Sequence, residues 1–523
     1  MLVNFGKMML NTALAYRNKE ALVNVEKNRR FTFMELHLIT NKICNAMTDT
    51  YLMKKGDVFV TLLKNDDSSL FSVWMAKGKA TSFWMDYLDS YDNHLEQLDQ
   101  AKPRLAFLDR SILERYYQAM QARKVQIVCL GADQGEELYP GVISFEDFLE
   151  DASEAETDVE YDDGRHIVAM RYTGGTTGKN KCVPYTLQTF FSGMHFLYTH
   201  PENYLSEETR HLHLTPLTHG ALFAVLPVYF KGGTHLTING ADLPLMGRTI
   251  QDELVTQTMV VPTLLYRLVD LGIEQEYDLG SLKTVFYGAA PMSPSKLVVL
   301  QERFGNIFVQ AYGASEAFPA LTILSKKEHC FLEGESMQRI NSAGRVLPGV
   351  EIRIVDDDGN EMETGETGEL WIRSRSVVKG YVDNLFETQK AFTSKGFWKS
   401  GDLGYLDEDG YLYLVDRKKD MIISGGFNVY AAEVEAVLNS HPCVQQSVVI
   451  GIPHPDWGEA VHAEVIRNSE TEPVGEKELI AFCKEHLGKY KNPKSIAFVE
   501  ELPLSGVGKV LRRMVRDKYL KKS

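Results

Sequence analysis

Tyr172-Thr173-Gly174-Gly175-Thr176-Thr177-Gly178-Lys179-Asn180-Lys181 concentrates glycines, hydroxyls and cations in one short stretch. Glycine lets the backbone approach an anion closely and adopt positive φ, while free backbone N–H groups and threonine hydroxyls donate to phosphate oxygens. The segment therefore suits a loop wrapped around polyphosphate, with Lys179 and Lys181 supplying charge. It is not a Walker A loop. Gly174 and Gly178 enclose one residue fewer than that motif requires, and Asn180 stands where Ser or Thr would hold magnesium. A P-loop ATPase fold is thereby disfavoured. Such a run also suits an ordinary surface turn, so the rest of the chain has to decide.

At 523 residues the chain exceeds what one hydrophobic core usually organises, and two or more domains are expected. Its 44% hydrophobic and 24% charged residues are ordinary for a soluble globular protein and argue against disorder. The formal net charge of -15 argues against a nucleic-acid surface, which needs clustered cations to replace phosphate counterions. The six cysteines, at 44, 129, 182, 330, 443 and 483, include no CxxC pair and no disulfide-scaffold spacing, so a reducing cytoplasm is expected. The start of the chain carries Lys7 but no sustained apolar h-region. The longest apolar run, Ala221 to Phe230, is too short to span a bilayer and reads as a buried strand or helix.

β-rich runs at Val58–Leu63, Val125–Leu130, Thr284–Tyr287 and Ile307–Gln310 alternate with helical stretches such as Ser295–Arg303, which favours an α/β body. After Gly368 the pattern changes: Glu369–Arg373 alternates like a strand, and Gly401–Arg417 places the turn Asp407-Glu408-Asp409-Gly410 between apolar runs. That reads as antiparallel β structure. Beyond Arg417 a strand, helix, strand, helix pattern predicts a small α+β domain, with the boundary at Lys419. Glu433 and Glu435 read as the solvated face of a helix. His211 and His213 alternate along a strand but lack an evident third ligand, so no metal chemistry is assigned to them.

Read with seven later segments, the glycine-rich stretch resembles the adenylate-forming superfamily of acyl-CoA synthetases, luciferases and peptide-synthetase adenylation domains. Tyr172 to Val183 is similar to the family's phosphate loop, departing from its usual Pro and Gly at Asn180 and Cys182. Thr215-Pro216-Leu217-Thr218-His219-Gly220 resembles the segment beside the acyl pocket, and Tyr287-Gly288-Ala289-Ala290-Pro291-Met292 the adenine-binding strand and loop. Gln310-Ala311-Tyr312-Gly313-Ala314-Ser315-Glu316 matches the Tyr-Gly-x-Thr/Ser-Glu signature. Trp398-Lys399-Ser400-Gly401-Asp402 and Asp416-Arg417-Lys418-Lys419-Asp420 follow in family order, then Ser424-Gly425-Gly426-Phe427-Asn428-Val429 and the terminal Leu502 to Arg513.

The resemblance implies an α/β fold. It has a large multi-subdomain N-terminal body, residues 1–418, with αβαβα-type layers and a distorted β-barrel, and a small mobile α+β C-terminal domain, residues 419–523. It implies ATP, Mg2+ and coenzyme A as ligands. Lys509 and Lys181 would be catalytic, and Thr173, Gly174, Gly175, Thr176 and Thr177 would bind phosphate. Ala289, Ala290 and Tyr312 would hold adenine, Ser315 would reach phosphate, and Glu316 would supply an oxygen to magnesium. Asp402 would bind ribose, a task suited to a carboxylate accepting two hydrogen bonds, and Arg417 would contact ribose or phosphate. His219, Gly288 and Gly313 would border the acyl pocket, Gly425 and Gly426 would admit pantetheine, and Lys419 would be the hinge.

The expected activity is ATP-dependent conversion of a carboxylic acid, fatty or bulky cyclic or aromatic, to an acyl-AMP and then to a CoA thioester. Two alternatives stand beside it: a freestanding adenylation enzyme that loads a carrier protein, and an ATP-binding protein that has lost catalysis. A homodimer is the base-rate expectation for quaternary structure.

Overall fold

The computed structural model describes residues 1–133, 135–173, 181–199, 203, 205–240, 242–290, 292–329, 339–468, 472, 474–488, 490–504 and 510–520. Among them, seven strands form one sheet in the order Lys181–Thr186, Ile167–Thr173, Thr81–Trp84, Val58–Leu62, Leu105–Asp109, Gln126–Leu130 and Val142–Ser144. Lys181–Thr186 runs antiparallel to its neighbour, and the remaining pairings are parallel. Parallel strands covered on both faces read as continuous apolar runs, as Val58–Leu62 and Leu105–Asp109 do.

A second sheet of nine described strands has the order Arg345–Val346, Ala317–Leu324, Phe308–Ala314, Thr284–Gly288, Gln257–Val260, Arg210–His213, Thr234–Thr237, Glu20–Asn24 and Arg29–Thr32. Its centre is parallel, and the hairpin Glu20–Thr32 closes one edge antiparallel. Local sequence sets several helix ends. Thr32 and Glu35 form a reciprocal capping box at the start of Phe33–Asn45. Pro294 opens Pro294–Phe304 and Gly305, at φ 72°, closes it.

The largest core lies between the two sheets. It joins Phe59 and Phe107 of the first to Leu22, Phe286 and Val309 of the second through helices Phe5–Ala15, Phe33–Asn45, Asp67–Trp74, Leu187–Thr199 and Val225–Phe230. Helices Tyr91–Ala101 and Leu113–Ala122 cover the outer face of the first sheet, and Leu243–Asp252, Pro262–Asp270 and Pro294–Phe304 that of the second. The layers therefore run αβαβα. The apolar run Ala221–Phe230 is buried here as a short 3₁₀ turn leading into a helix. No helix among the described residues is long and apolar enough to cross a membrane.

Val350–Val355, Gly368–Ser374, Trp398–Leu406 and Leu412–Arg417 form a four-stranded antiparallel sheet with its own apolar core, where the barrel was expected. Five described strands between Ile422 and Phe498, with helices Ala431–Ser440, Glu476–His486 and Arg512–Leu520, build the small α+β unit. Its core, around Val434, Leu438, Val449, Val461 and Leu479, is separate from those of the body.

Candidate active site

The glycine-rich stretch connects two antiparallel strands, and the register pairs Thr173 with Lys181 across its ends. A strand on each side of the stretch differs from the strand before and helix after a Walker A motif. Gly174, Gly175, Thr176 and Thr177 lie outside the described residues. Lys181 is mostly buried and pairs with Glu387 Oε2 at 2.6 Å, its Nζ standing 5.0 Å from the centre of the Tyr381 ring. Hydrogen bonding to Lys181 holds the Glu387 carboxyl below its ordinary range.

Ser315 and Glu316 form the turn between Phe308–Ala314 and Ala317–Leu324, just after an irregularity between Tyr312 and Ala314. Their grip comes from elsewhere. Arg171 Nη2 donates to Ser315 Oγ at 2.6 Å, and Tyr185 Oη donates to the Ser315 carbonyl at 3.0 Å. Tyr381 Oη donates to Glu316 Oε1 at 2.9 Å, and the Val378 amide to the Glu316 carbonyl at 2.8 Å. Tyr312 Oη in turn donates to Asp402 Oδ2 at 2.6 Å, while Arg417 Nε lies 3.1 Å from Asp402 Oδ1. Asp402 and Arg417 face each other across neighbouring strands, so the fold joins two motifs that the sequence keeps apart. Burial and then the Asp402 carboxylate push the Tyr312 phenol well up, and the same carboxylate raises Arg417.

Gly288 and Gly313 owe their identity to close packing. A Cβ on Gly288 would stand 2.3 Å from the Ala311 carbonyl oxygen, and one on Gly313 2.2 Å from that of Pro319. Spare room for an acyl chain is therefore not needed to account for either. Ala289 is exposed and holds φ at 63°, a left-handed conformation rare for a residue with a Cβ. It follows the carboxyl end of the parallel strand Thr284–Gly288, the edge at which open α/β sheets bind ligands. Ala290 follows it, partly exposed. His219 Nε2 lies 2.8 Å from Asp86 Oδ2. Burial alone would raise Asp86, but the hydrogen bond and charge of His219 bring it below its ordinary value.

Lys419 follows the last strand of the four-stranded sheet, and burial lowers its ammonium from the ordinary value. Gly425 and Gly426, at φ 59° and 83°, are the two central residues of a tight hairpin, where type I′ geometry demands positive φ twice. The solvated reading of Glu435 is corrected: it accepts from Arg512 at 2.7 Å and from the Val449 amide at 2.7 Å. Burial raises its carboxyl against the pull of Arg512. Glu433 is more exposed and pairs with Lys491 at 2.6 Å. Lys509 lies outside the described residues, three positions before Arg512.

The family described as "AMP-binding enzyme" matches residues 10–382, well over half of the chain, and "AMP-binding enzyme C-terminal domain" matches residues 433–509. The chain belongs to the AMP-binding enzyme family. This AMP-binding enzyme is 38% identical over 362 residues to the medium/long-chain-fatty-acid–CoA ligase FadD8 of Mycobacterium tuberculosis, a match covering 68% of the chain but only 61% of that relative. It is 31% identical over 491 residues to the 2-succinylbenzoate–CoA ligase of Bacillus licheniformis, covering 93% of the chain and 95% of the relative. Its fold is similar to that of the o-succinylbenzoate CoA synthetase MenE from Bacillus subtilis, solved with the acyl-adenylate OSB-AMP. The TM-score is 0.83 at 27% identity, over 99% of both chains.

Sequence reading of this AMP-binding enzyme missed Arg171, Tyr185, Tyr381, Glu387 and Asp86. Arg171 carries a signal in hindsight, since a cation one residue before the Tyr172 motif is an unusual core residue. The others carry none, because their partners are distant in sequence.

Proposed function

We propose that this protein is an ATP-dependent, AMP-forming acid–thiol ligase that converts a carboxylic acid to an acyl-adenylate and passes the acyl group to coenzyme A. One observation carries the reading. The Ser315–Glu316 turn is held by Arg171, Tyr185 and Tyr381 beside the Tyr312–Asp402–Arg417 cluster, so a hydroxyl, a carboxylate and cations share one strand edge.

A carboxylate offers a thiol no useful leaving group, whereas its mixed anhydride with AMP does. The acid is already a nucleophile at neutral pH, so the first step needs charge stabilisation more than a catalytic triad. Negative charge builds on the α-phosphate and departing pyrophosphate, and preorganised donors act best where charge develops. Ser315, Lys181, the glycine-rich loop and Lys509 are the groups assigned to that task. Asp402 and Arg417 would orient ribose, and Tyr312, Ala289 and Ala290 would hold adenine.

Glu316 fits a magnesium ligand. One of its oxygens is fixed by Tyr381, and no group of three or more donors stands nearby among the described residues. Magnesium ordinarily uses one or two carboxylates together with substrate phosphates. Bound there, it would neutralise phosphate charge.

In the second step residues 419–523 swing about Lys419, withdrawing Lys509 and bringing the Gly425–Gly426 turn toward a pantetheine arm. His219, Gly288 and Gly313 are assigned to the border of the acyl pocket. A medium-to-long fatty acid or a bulky cyclic acid is the favoured substrate, supported by FadD8 and by the succinylbenzoate ligase.

The test is a pyrophosphate-release screen over fatty, aromatic, dicarboxylic, steroid and amino acids, with CoA or a phosphopantetheinylated carrier protein as acceptor. Acid-dependent release with thioester formed on CoA is the expected result. Acid-independent ATP binding alone would leave a binding protein, and thioester formed only on the carrier would identify a loading enzyme. Lys509→Ala should abolish adenylate formation while sparing thioester formation from supplied adenylate.

A further inference from the structure

Arg171 is a charged side chain with no charged partner among the described residues. It is 6% exposed, and its hydrogen bonds go to neutral oxygens: Nη1 donates to the Thr218 carbonyl at 3.0 Å and Nη2 to Ser315 Oγ at 2.6 Å. Nε is buried without a hydrogen-bond partner, and no carboxylate forms an ion pair with this guanidinium among the described residues. A buried guanidinium held by neutral oxygens and, 5.7 Å away, by the face of the Tyr185 ring still lacks a counter-charge among the described residues, a costly arrangement that calls for a role that charge performs. Arg171 also joins the two large sheets, since it sits on Ile167–Thr173 while Ser315 follows Phe308–Ala314.

The direction of the bond matters. A guanidinium can only donate, so Ser315 Oγ must be the acceptor. The serine's own hydrogen is then left for another acceptor, and among the described residues it donates to none. Tyr185 fixes the same serine through its carbonyl, which limits the residue's freedom to turn away. The oxygen is thus held while its proton points elsewhere, with a positive charge behind it that strengthens donation.

We propose that Arg171 is a positioning residue for the nucleotide: it locks and polarises the Ser315 hydroxyl so that its proton is presented to a phosphate oxygen of bound AMP. The inference rests on the reading of Ser315 as a phosphate contact. It adds a residue that touches no ligand atom itself and supplies positive charge behind the contact.

Calorimetric binding of AMP and of adenosine to the full chain separates this role from a structural one, because adenosine lacks the phosphate. Arg171→Gln should weaken AMP about tenfold, ~1.4 kcal/mol, and leave adenosine within about twofold. Ser315→Ala should weaken AMP to a similar degree and again spare adenosine. The double variant should be no weaker than Ser315→Ala alone, since the arginine acts through the serine. Arg171→Lys keeps the charge but not the fork, and should lose AMP affinity several-fold without touching adenosine; it serves if the glutamine variant does not fold.

Equal weakening of AMP and adenosine by either arginine variant overturns the proposal, as does full additivity in the double variant. Both of those results leave the phosphate role of Ser315 standing. Unchanged AMP binding in Ser315→Ala overturns that role and the proposal together.

Discussion

Lys181 Nζ lies 2.6 Å from Glu387 Oε2, with both side chains largely withdrawn from water. The lysine assigned to phosphate is thus already engaged by a carboxylate. Nucleotide binding would have to exchange one anion for another, and the affinity gained is the difference between the two. Glu387→Gln removes the competing charge while keeping the shape. It should tighten ATP binding by about threefold to tenfold, ~0.7–1.4 kcal/mol. Lys181→Met should weaken it by about tenfold or more. Calorimetry with ATP checks both, and an unchanged or weaker affinity in Glu387→Gln would show that the glutamate orients the lysine without competing for it.

The α/β alternation was legible because the body strands are buried on both faces and therefore read as short apolar runs. Val58–Leu63 was expected and Val58–Leu62 is seen; Ser295–Arg303 became Pro294–Phe304. What local pattern cannot carry is the partner of a strand or of a charge. The hairpin Glu20–Thr32 joins the second sheet beside Thr234–Thr237, a pairing no local pattern announces. Glu435 looked solvated because it is charged and helical, and Arg512 is what allows its burial. Motif residues such as Tyr312, Ser315 and Asp402 were legible from their order. The residues that hold them, Arg171, Tyr185 and Tyr381, meet them only in the folded chain.

His211 and His213, to which no metal chemistry was assigned, belong with His235 to a buried cluster that has a consequence for acid stability. His211, His213 and His235 are buried together on adjacent parallel strands, with His213 Nε2 3.0 Å from His235 Nδ1 and His211 Nδ1 2.8 Å from Gln257 Oε1. Burial pushes His211 down to about 4 and His235 to about 3, and pushes His213 well down. Folded, these rings stay neutral where an unfolded chain would already bind protons near its ordinary value of about 6.5. Stability is therefore full above that value and falls as pH drops from it toward the folded values. Each ring costs about 1.4 kcal/mol per pH unit across that window. Urea midpoints followed by tryptophan fluorescence should fall steeply between about pH 6.5 and 4, and less steeply in His211→Asn. A midpoint independent of pH would contradict the neutral cluster.

Asp402 is expected to act on the ribose side of the nucleotide, and Ser315 on the phosphate side. Asp402→Asn removes the charge that pairs with Arg417 and accepts from Tyr312. Hydrogen bonds to charged groups contribute roughly 1.5–3 kcal/mol, so affinity should fall by about tenfold to a hundredfold. The loss should be shared by AMP and adenosine alike, in contrast to Ser315→Ala. Tyr312→Phe should cost only a few-fold. Calorimetry with the two ligands decides, and a loss confined to AMP would move Asp402 away from the ribose.

Arg512 ties the end of the chain to the linker between the body and the small unit. Its Nη2 lies 2.7 Å from Glu435 Oε1, and its Nη1 3.3 Å from Asp420 Oδ2 and 3.6 Å from Asp416 Oδ1. Asp416 also accepts from the Ala432 amide at 3.2 Å, so one arginine offsets acids on both sides of Lys419. Replacing it with Met would leave those carboxylates buried and uncompensated, a loss of about 3–5 kcal/mol at neutral pH. Burial already raises the Asp416 and Glu435 carboxyls, and losing the cation raises them further. A carboxyl whose folded value is raised costs stability above that value and recovers it when protonated. The Arg512→Met defect should therefore be larger at about pH 8 than at about pH 5, and Glu435→Gln in the same chain should restore part of it. Scanning calorimetry at the two pH values checks this: an equal defect at both, or strict additivity of the two substitutions, would mean that Arg512 stabilises the linker by packing alone.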